Sequence, residues 1–346
     1  MLTITQFFSS VFLILATIFN SIIPLVVGND LADDRFYDEW SSDDAYVIDY
    51  DGILTKDADE DFKVLVLADT QLDNDDALGA NRFASEALIT ALVEKSDPDL
   101  IVTVGDNAIG GFAYEWFIRF LDSFDIPWAP VMGNHDGQGL SDESWAAYKM
   151  TKADNCMFKF GPEDMGHGNY TLHISQNNRI IHTLYLMDTH NSTDYFDGTT
   201  LQEDVYDGLW KNQIEWYKWN VNGLNALTSS NVQSTLFIHI PFPEYNNAYD
   251  NMSSDPTAFG VKGEYICCGV NRGMFDVIKE LGSTKDVICG HDHVNTFSTV
   301  YEGVRLSYAL KTGLTAYYDE NLQGASLLTI DENGETTFSH IDATKF

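Results

Sequence analysis

Positive charge is scarce. Against 53 aspartates and glutamates the 346 residues carry only 19 lysines and arginines, a formal net charge of −34. That balance argues against a partner held through nucleic-acid phosphates, which needs a basic surface, and against docking on anionic lipid heads. It also repels anionic substrates, so chemistry on phosphate esters requires local positive charge, which metal ions can supply. Cysteine is scarce too: Cys156, Cys267, Cys268 and Cys289 are too few for a disulfide framework. One bridge from Cys156 to either member of the adjacent pair is open, and Cys289 reads as a buried thiol. None of the four sits in an activating His-Cys context, which argues against a cysteine nucleophile. Internal repeats and domain-splitting linkers are also missing. Apolar side chains are not: 44% hydrophobic and 13% aromatic residues exclude disorder throughout and suit a large core.

Residues 1–28 hold no charge at all, and their apolar core VFLILATIF (11–19) reads as a secretory signal peptide ending before Asn29. An uncleaved signal anchor is the competing reading, because the positive n-region is missing and the run nearly reaches spanning length. Only that anchor reading gives the chain a stable membrane partner. Three sequons, at Asn169, Asn191 and Asn251, are glycosylation candidates and agree with a secreted, lumenal or vacuolar protein. Residues 29–61 contain 13 acidic and 2 basic side chains without apolar periodicity, an acidic leader expected to be mobile. Its aromatics leave room for part of it to pack on the domain. The folded domain is expected over 62–346.

From Phe62 the pattern alternates. KVLVLAD (63–69), DLIVTVGD (99–106) and IPWAPVMGNHD (126–136) read as strands ending in polar residues, with helices near 77–95 and 113–123 between them. Further strands are expected at 170–175, 180–187, 234–244 and 286–293, helices near 208–221 and 271–282, and a β-rich C-terminus. This alternation predicts an α/β domain with a parallel sheet covered on both faces.

Five apolar runs end in Asp69, Gly105-Asp106, Gly133-Asn134-His135-Asp136, His239 and Gly290-His291-Asp292-His293. In open α/β sheets the ligand crevice lies at the carboxyl ends of the strands. One aspartate at a strand end is usually a cap or turn residue, and a lone histidine is usually structural. Five such endings in one domain instead bring carboxylates, an amide oxygen and imidazoles together as metal ligands.

In this order and spacing the motifs D-x-(H), G-D-N, G-N-H-D, H-I-P and G-H-D-H resemble those of the calcineurin-like metallophosphoesterase superfamily. DLIVTVGDNAIGG, IHIPFPEY and the stretch around DVICGHDHVN are most similar to its short purple-acid-phosphatase-like branch of plants and fungi. The resemblance implies a β-sandwich of two mixed sheets flanked by helices, in α/β/β/α layers, with two metal ions (Fe, Mn, Zn or Mg) at one edge. It implies one ion on Asp69, Asp106 and His293, and a second on Asp106, Asn134, His239 and His291, with Asp106 bridging. His135 would then stand beside a phosphate-ester substrate as a donor. Two ions about 3.5–4 Å apart clamp a phosphoryl group, and a metal-bound water ionised near neutral pH serves as nucleophile. Asp292 and Asp136 are expected to support the ligand loops. Asp188 and His190 are weighed as pocket-border residues, and Lys311 as a floor residue that could meet a phosphate oxygen.

The chain departs from the pattern at Gln71, where the first motif usually carries histidine. Gln71 could coordinate through its amide oxygen, more weakly than imidazole. No tyrosine follows Gly105-Asp106 as the violet tyrosinate–iron pair requires. The expected function is therefore phosphomonoester hydrolysis. The alternatives are phosphodiester hydrolysis on the same centre, or a non-catalytic binding relative weakened at Gln71.

Overall fold

The computed structural model describes residues 36–345 apart from 75, 77, 78, 140 and 141. The expected signal segment 1–28 and leader residues 29–35 lie outside the described residues. The first half of the chain runs β1 (Ile53–Thr55), β2 (Phe62–Leu67), β3 (Leu72–Asp73), α1 (Ala80–Ser96), β4 (Leu100–Val104), β5 (Ala108–Ile109), α2 (Gly111–Asp122), β6 (Trp128–Val131) and α3 (Glu143–Met150). After β7 (Tyr170–Gln176) and β8 (Arg179–Leu186) comes a hairpin, β9 (Ser192–Phe196) and β10 (Leu201–Tyr206). Then follow α4 (Lys211–Thr228), β11 (Gln233–Phe237), α5 (Glu244–Asn251), α6 (Met274–Leu281) and β12 (Thr284–Cys289). The chain closes with β13 (Ser298–Tyr301), β14 (Val304–Tyr308), β15 (Gly324–Ile330) and β16 (Thr336–Asp342).

Two mixed sheets result. One has five strands in the order β16-β15-β2-β4-β6, the other seven in the order β1-β7-β8-β11-β12-β14-β13. Strands β2, β4 and β6 are mutually parallel, and so are β8, β11 and β12. The single covered parallel sheet suggested by the alternation alone is thus replaced by the two-sheet sandwich that the motifs imply. Burial shows the layers directly. Along β8, β11 and β12 the side chains of Leu184, Leu186, Phe237 and Ile288 point into the core shared with the five-stranded sheet. Their neighbours Tyr185, Leu236, Val287 and Cys289 point the other way, into a second core that includes Ile214 and Tyr217 of α4 and Phe275 of α6. The period of two in a strand makes this division possible. Helices α1 and α2 cover the outer face of the five-stranded sheet, supplying Ile89, Leu92, Phe117 and Leu121 to the first core. The order is α/β/β/α.

The leader corrects an expectation. From Phe36 onward it lies against the domain rather than moving freely. Phe36 packs on Tyr148 and Phe160, and Tyr46 on Trp219. Ile53–Thr55 extends the seven-stranded sheet by pairing parallel to β7. Aromatic burial outweighs the acidity of the segment, whose carboxylates stay at the surface. The four cysteines are free, so the bridge from Cys156 does not form. No helix among the described residues is long and apolar enough to cross a membrane.

Candidate metal centre

All five polar strand endings meet at one edge of the sandwich. Asp69 follows β2, Asp106 follows β4, Asn134 and His135 follow β6, His239 follows β11, and His291 and His293 follow β12. Asp69, Gln71, Asp106 and His291 all have positive φ, from 45° to 77°. Non-glycine residues in this left-handed region store strain, about 1–3 kcal/mol each. Here that backbone turns the side chains back over the strand ends. Gly105, at φ +87°, makes a close approach to the cluster: a Cβ there would lie 2.5 Å from Nδ1 of His239.

His239 has no exposure to solvent. Its Nδ1 lies 2.8 Å from the Val104 carbonyl oxygen, which can only accept, so Nδ1 carries hydrogen. Nε2 then faces Asn134 Oδ1 at 3.0 Å, Asp106 Oδ1 at 3.3 Å and His291 Nδ1 at 3.3 Å. A second convergence lies beside it. Nδ1 of His293 donates to the Tyr317 carbonyl at 2.9 Å, which leaves Nε2 facing Asp69 Oδ1 at 3.6 Å. Donor atoms of Asp69, Asp106 and His239 all lie within 4.8 Å of one another. So many electron pairs aimed at one space repel each other unless a cation is shared among them. The residues fit borderline divalent cations, with the Asp69 and Asp106 carboxylates next to each other between His239 and His293.

Electrostatics agree. Burial alone would raise the Asp106 carboxyl, but the adjoining His239 overrides it and holds the group below the usual carboxylate range. Burial likewise disfavours a charged His239, yet Asp106 and Asp69 lift it to about 10. Burial, with repulsion from Asp106, raises Asp69 to about 7. Burial also pushes His291 and His293 down to about 3. A proton on His239 therefore serves as the small cation that a metal would displace.

The neighbouring polar residues take up distinct positions. Asp136 accepts from the backbone of Asn107 at 2.7 Å and of Gly133 at 2.7 Å, tying the Asp106 and Asn134 loops together. His135 donates its backbone N–H to Asp106 Oδ1 at 2.9 Å, and its ring Nε2 is 3.9 Å from Oδ2. Nδ1 of His135 is buried without a hydrogen-bond partner among the described residues. Asp292 bonds the Tyr308 hydroxyl at 2.6 Å and the Cys267 N–H, which makes it an anchor of the loop.

Gln71 takes an arrangement that the motif did not reveal. Its Nε2 donates to Asp106 Oδ2 at 2.6 Å, while Oε1 accepts from the buried Lys311 ammonium at 3.3 Å. Lys311 also donates to the Asp69 carbonyl at 2.8 Å, and burial pulls its pKa down to about 8. An ammonium has only hydrogens to offer, so it fixes the polarity of the amide. The amide oxygen faces Lys311, and the N–H faces the carboxylate. Lys311 is buried and committed to protein oxygens rather than open to a phosphate.

Asp188 and His190 do not join the cluster. Asp188 accepts from the backbone of His167 and His190, and His190 bonds Gln213 at 2.9 Å and stacks on Trp210. Among the sequons, Asn191 and Asn251 are exposed. Asn169 is 1% exposed and uses its amide on Met165, Asp188 and Gln213, so the fold leaves no room for a glycan there. Two residues with no sequence signal join the site: Tyr206 and Tyr317, whose rings pack on His291 and His293.

Comparison with known proteins follows the same lines. "Probable inactive purple acid phosphatase 14" of Arabidopsis thaliana is 31% identical over 65% of this chain and 61% of its own length. "Probable inactive purple acid phosphatase 29" of the same plant is 27% identical over 74% of this chain and 73% of its own. "Phosphatase DCR2" of Saccharomyces cerevisiae is 27% identical over 62% of this chain, and the match spans 39% of that protein. The match thus spans less than two thirds of the first and the third of these relatives. Among solved structures, a dimetal phosphatase from Danio rerio shares the fold, with a TM-score of 0.50 at 14% identity over 82% of this chain and 96% of that one. The family model for calcineurin-like phosphoesterases matches residues 62–295, from the first site-bearing strand through the Gly290–His293 loop, and the chain belongs to that family.

Proposed function

We propose that this protein is a two-metal hydrolase of phosphoric monoesters. The observation that carries the reading is two neighbouring convergences, one around His239 Nε2 with Asp106 and one between His293 Nε2 and Asp69, whose carboxylates lie within 4.8 Å of one another, with His135 beside them. Asn134, His239, His291 and Asp106 would hold one ion, and Asp69, His293 and Asp106 the other. Bound ions would supply Lewis acidity toward the phosphoryl oxygens and a nucleophile at neutral pH. The chain's own residues do the rest. The Val104 and Tyr317 carbonyls hold two imidazoles in the ligating tautomer. Asp136 holds the two loops at a fixed separation, and His135 supports the leaving group or the phosphoryl charge.

Two observations favour a second, non-catalytic reading. The Gln71 amide oxygen is turned to Lys311, and two similar plant proteins carry the word inactive in their names. Hydrolysis of a chromogenic phosphomonoester by the full chain separates the two, tested metal-stripped, with Mn²⁺, Zn²⁺, Mg²⁺ or iron restored, and as Asn134→Ala. Metal-dependent turnover lost in the variant supports the hydrolase. Two bound ions without turnover on mono- or diesters supports the binding protein, and faster diester turnover replaces monoester with diester specificity. We also infer a secretory location, supported by the uncharged residues 1–28 and the exposed sequons at Asn191 and Asn251.

A further inference from the structure

Each histidine of the Gly290–His293 loop is capped by a tyrosine. The Tyr206 ring meets His291 edge to face, with centroids 4.5 Å apart at 86°. The Tyr317 ring stacks on His293 at 4.2 Å and 26°. The imidazoles are only 8% and 5% exposed, whereas the tyrosines are 38% and 52% exposed. The two phenol rings are thus what solvent, or an incoming molecule, meets on that side of the centre.

Tyr206 is held through its backbone, and Tyr317 through both backbone and hydroxyl. Tyr206 ends β10, and its carbonyl accepts from Val270 N–H at 3.1 Å. The next residue, buried Asp207, donates its N–H to the Asn191 carbonyl and pairs with Arg272 at 2.6 Å. Arg272 also donates to the Gly208 carbonyl, so the root of the hairpin is pinned from both sides. Tyr317 is fixed at both ends. Its carbonyl receives His293 Nδ1, and its hydroxyl donates to Glu264 Oε2 at 2.9 Å. Glu264 is itself held by Val294 N–H. A ring fixed at both ends, as that of Tyr317 is, loses little entropy when a ligand stacks on it.

The surrounding charge narrows what can stack. Glu264 and Asp292 act on Tyr317, Asp292 and Asp204 on Tyr206, and Arg272 is occupied by Asp207. Lys262 lies over the Tyr249 ring, 5.3 Å from its centroid. A leaving group with further phosphates or carboxylates would meet repulsion from these carboxylates, whereas a flat uncharged ring finds two aromatic surfaces.

We infer that Tyr206 and Tyr317 form a leaving-group subsite, and that the substrates are small phosphomonoesters whose alcohol carries an uncharged aromatic ring. The inference rests on the phosphomonoester reading above, and its test separates the two. Phenylphosphonate and methylphosphonate share a phosphate-like head that cannot be hydrolysed. Their binding to the metal-loaded full chain is measured by calorimetry. The wild type should prefer the phenyl ligand by about 10-fold or more, and Tyr206→Ala or Tyr317→Ala should each lower that preference by about 2–10-fold. Tyr206→Phe and Tyr317→Phe should keep it, which separates ring stacking from a fold held by the hydroxyl. Metal-dependent methylphosphonate binding with no phenyl preference would overturn the subsite and leave the hydrolase reading standing. If neither phosphonate binds the loaded chain, both fall.

Discussion

Loading the metal centre should release protons in a number that depends on pH in a specific way. In the metal-free chain His239, lifted to about 10, is protonated at pH 7, and Asp69, raised to about 7, is half protonated. His291 and His293, pushed down to about 3, are neutral, and Asp106 is ionised. Ligation requires His239 Nε2 and the Asp69 carboxylate to be free of protons. Filling both sites should then release about one and a half protons per chain at pH 7, about two near pH 6 and about one near pH 8.5. Apparent affinity should rise with the same slope, about 30-fold between pH 6.5 and 7.5. The stability of the stripped chain follows the same signs. The contribution of His239 is complete below its unfolded pKa of about 6.5 and is lost as pH rises through about 10. That of Asp69 is lost between its ordinary value of 3.8 and about 7, so alkaline pH destabilises the stripped chain. Depressed His291 and His293 cost stability as pH falls below about 6.5. Titration calorimetry in buffers of differing ionisation enthalpy counts the protons. Metal binding without proton release would refute the assignment of a proton to His239 as stand-in for the metal, and a count unchanged from pH 6 to 8.5 would refute the proton assigned to Asp69.

Four further outcomes follow from the geometry. His135→Ala should lower kcat on a phosphomonoester about 10²–10⁴-fold with bound metal unchanged by elemental analysis, because the ring is placed beside the centre rather than among its ligands. Lys311→Met should tighten the ion on the Asp69 and His293 side at least about tenfold in a metal-binding titration, because a buried cation is removed and the Gln71 amide is freed to turn. Gly105→Ala should cost more than about 2 kcal/mol in denaturant unfolding, from left-handed strain and from collision with the His239 ring. Chain secreted by a glycosylating host should lose glycans from Asn191 and Asn251 on enzymatic deglycosylation, with Asn169 unmodified by peptide mapping.

Much of the candidate centre was legible because its residues sit immediately after apolar strands. Asp69, Asp106, Asn134, His239, His291 and His293 each follow a run whose composition announces burial, and strand ends on one side of parallel sheets must meet. The alternation of strands and helices was legible for the same reason. The order of strands was not. Pairing β15 against β2, more than 250 residues apart in sequence, is a choice between apolar surfaces of similar composition. The leader misled because acidity is a property of a segment, whereas packing depends on a few aromatics within it. Phe36, Tyr37 and Tyr46 find partners on Tyr148, Phe160 and Trp219.

Gln71, Asn169 and the two tyrosines show where local reading ends. A glutamine in place of histidine says that the ligand is weaker, but only Lys311, 240 positions away, decides which way its amide points. The sequon at Asn169 is complete as a motif, and burial cancels it. Nothing near Tyr206 or Tyr317 marks either as a site residue, because each gains its meaning from an imidazole on another element. By itself the sequence determined the chemistry available, since side-chain type and the apolar run before it are local properties. The tertiary structure alone decided polarity, access and neighbours at the centre, because those depend on atoms brought together from distant parts of the chain.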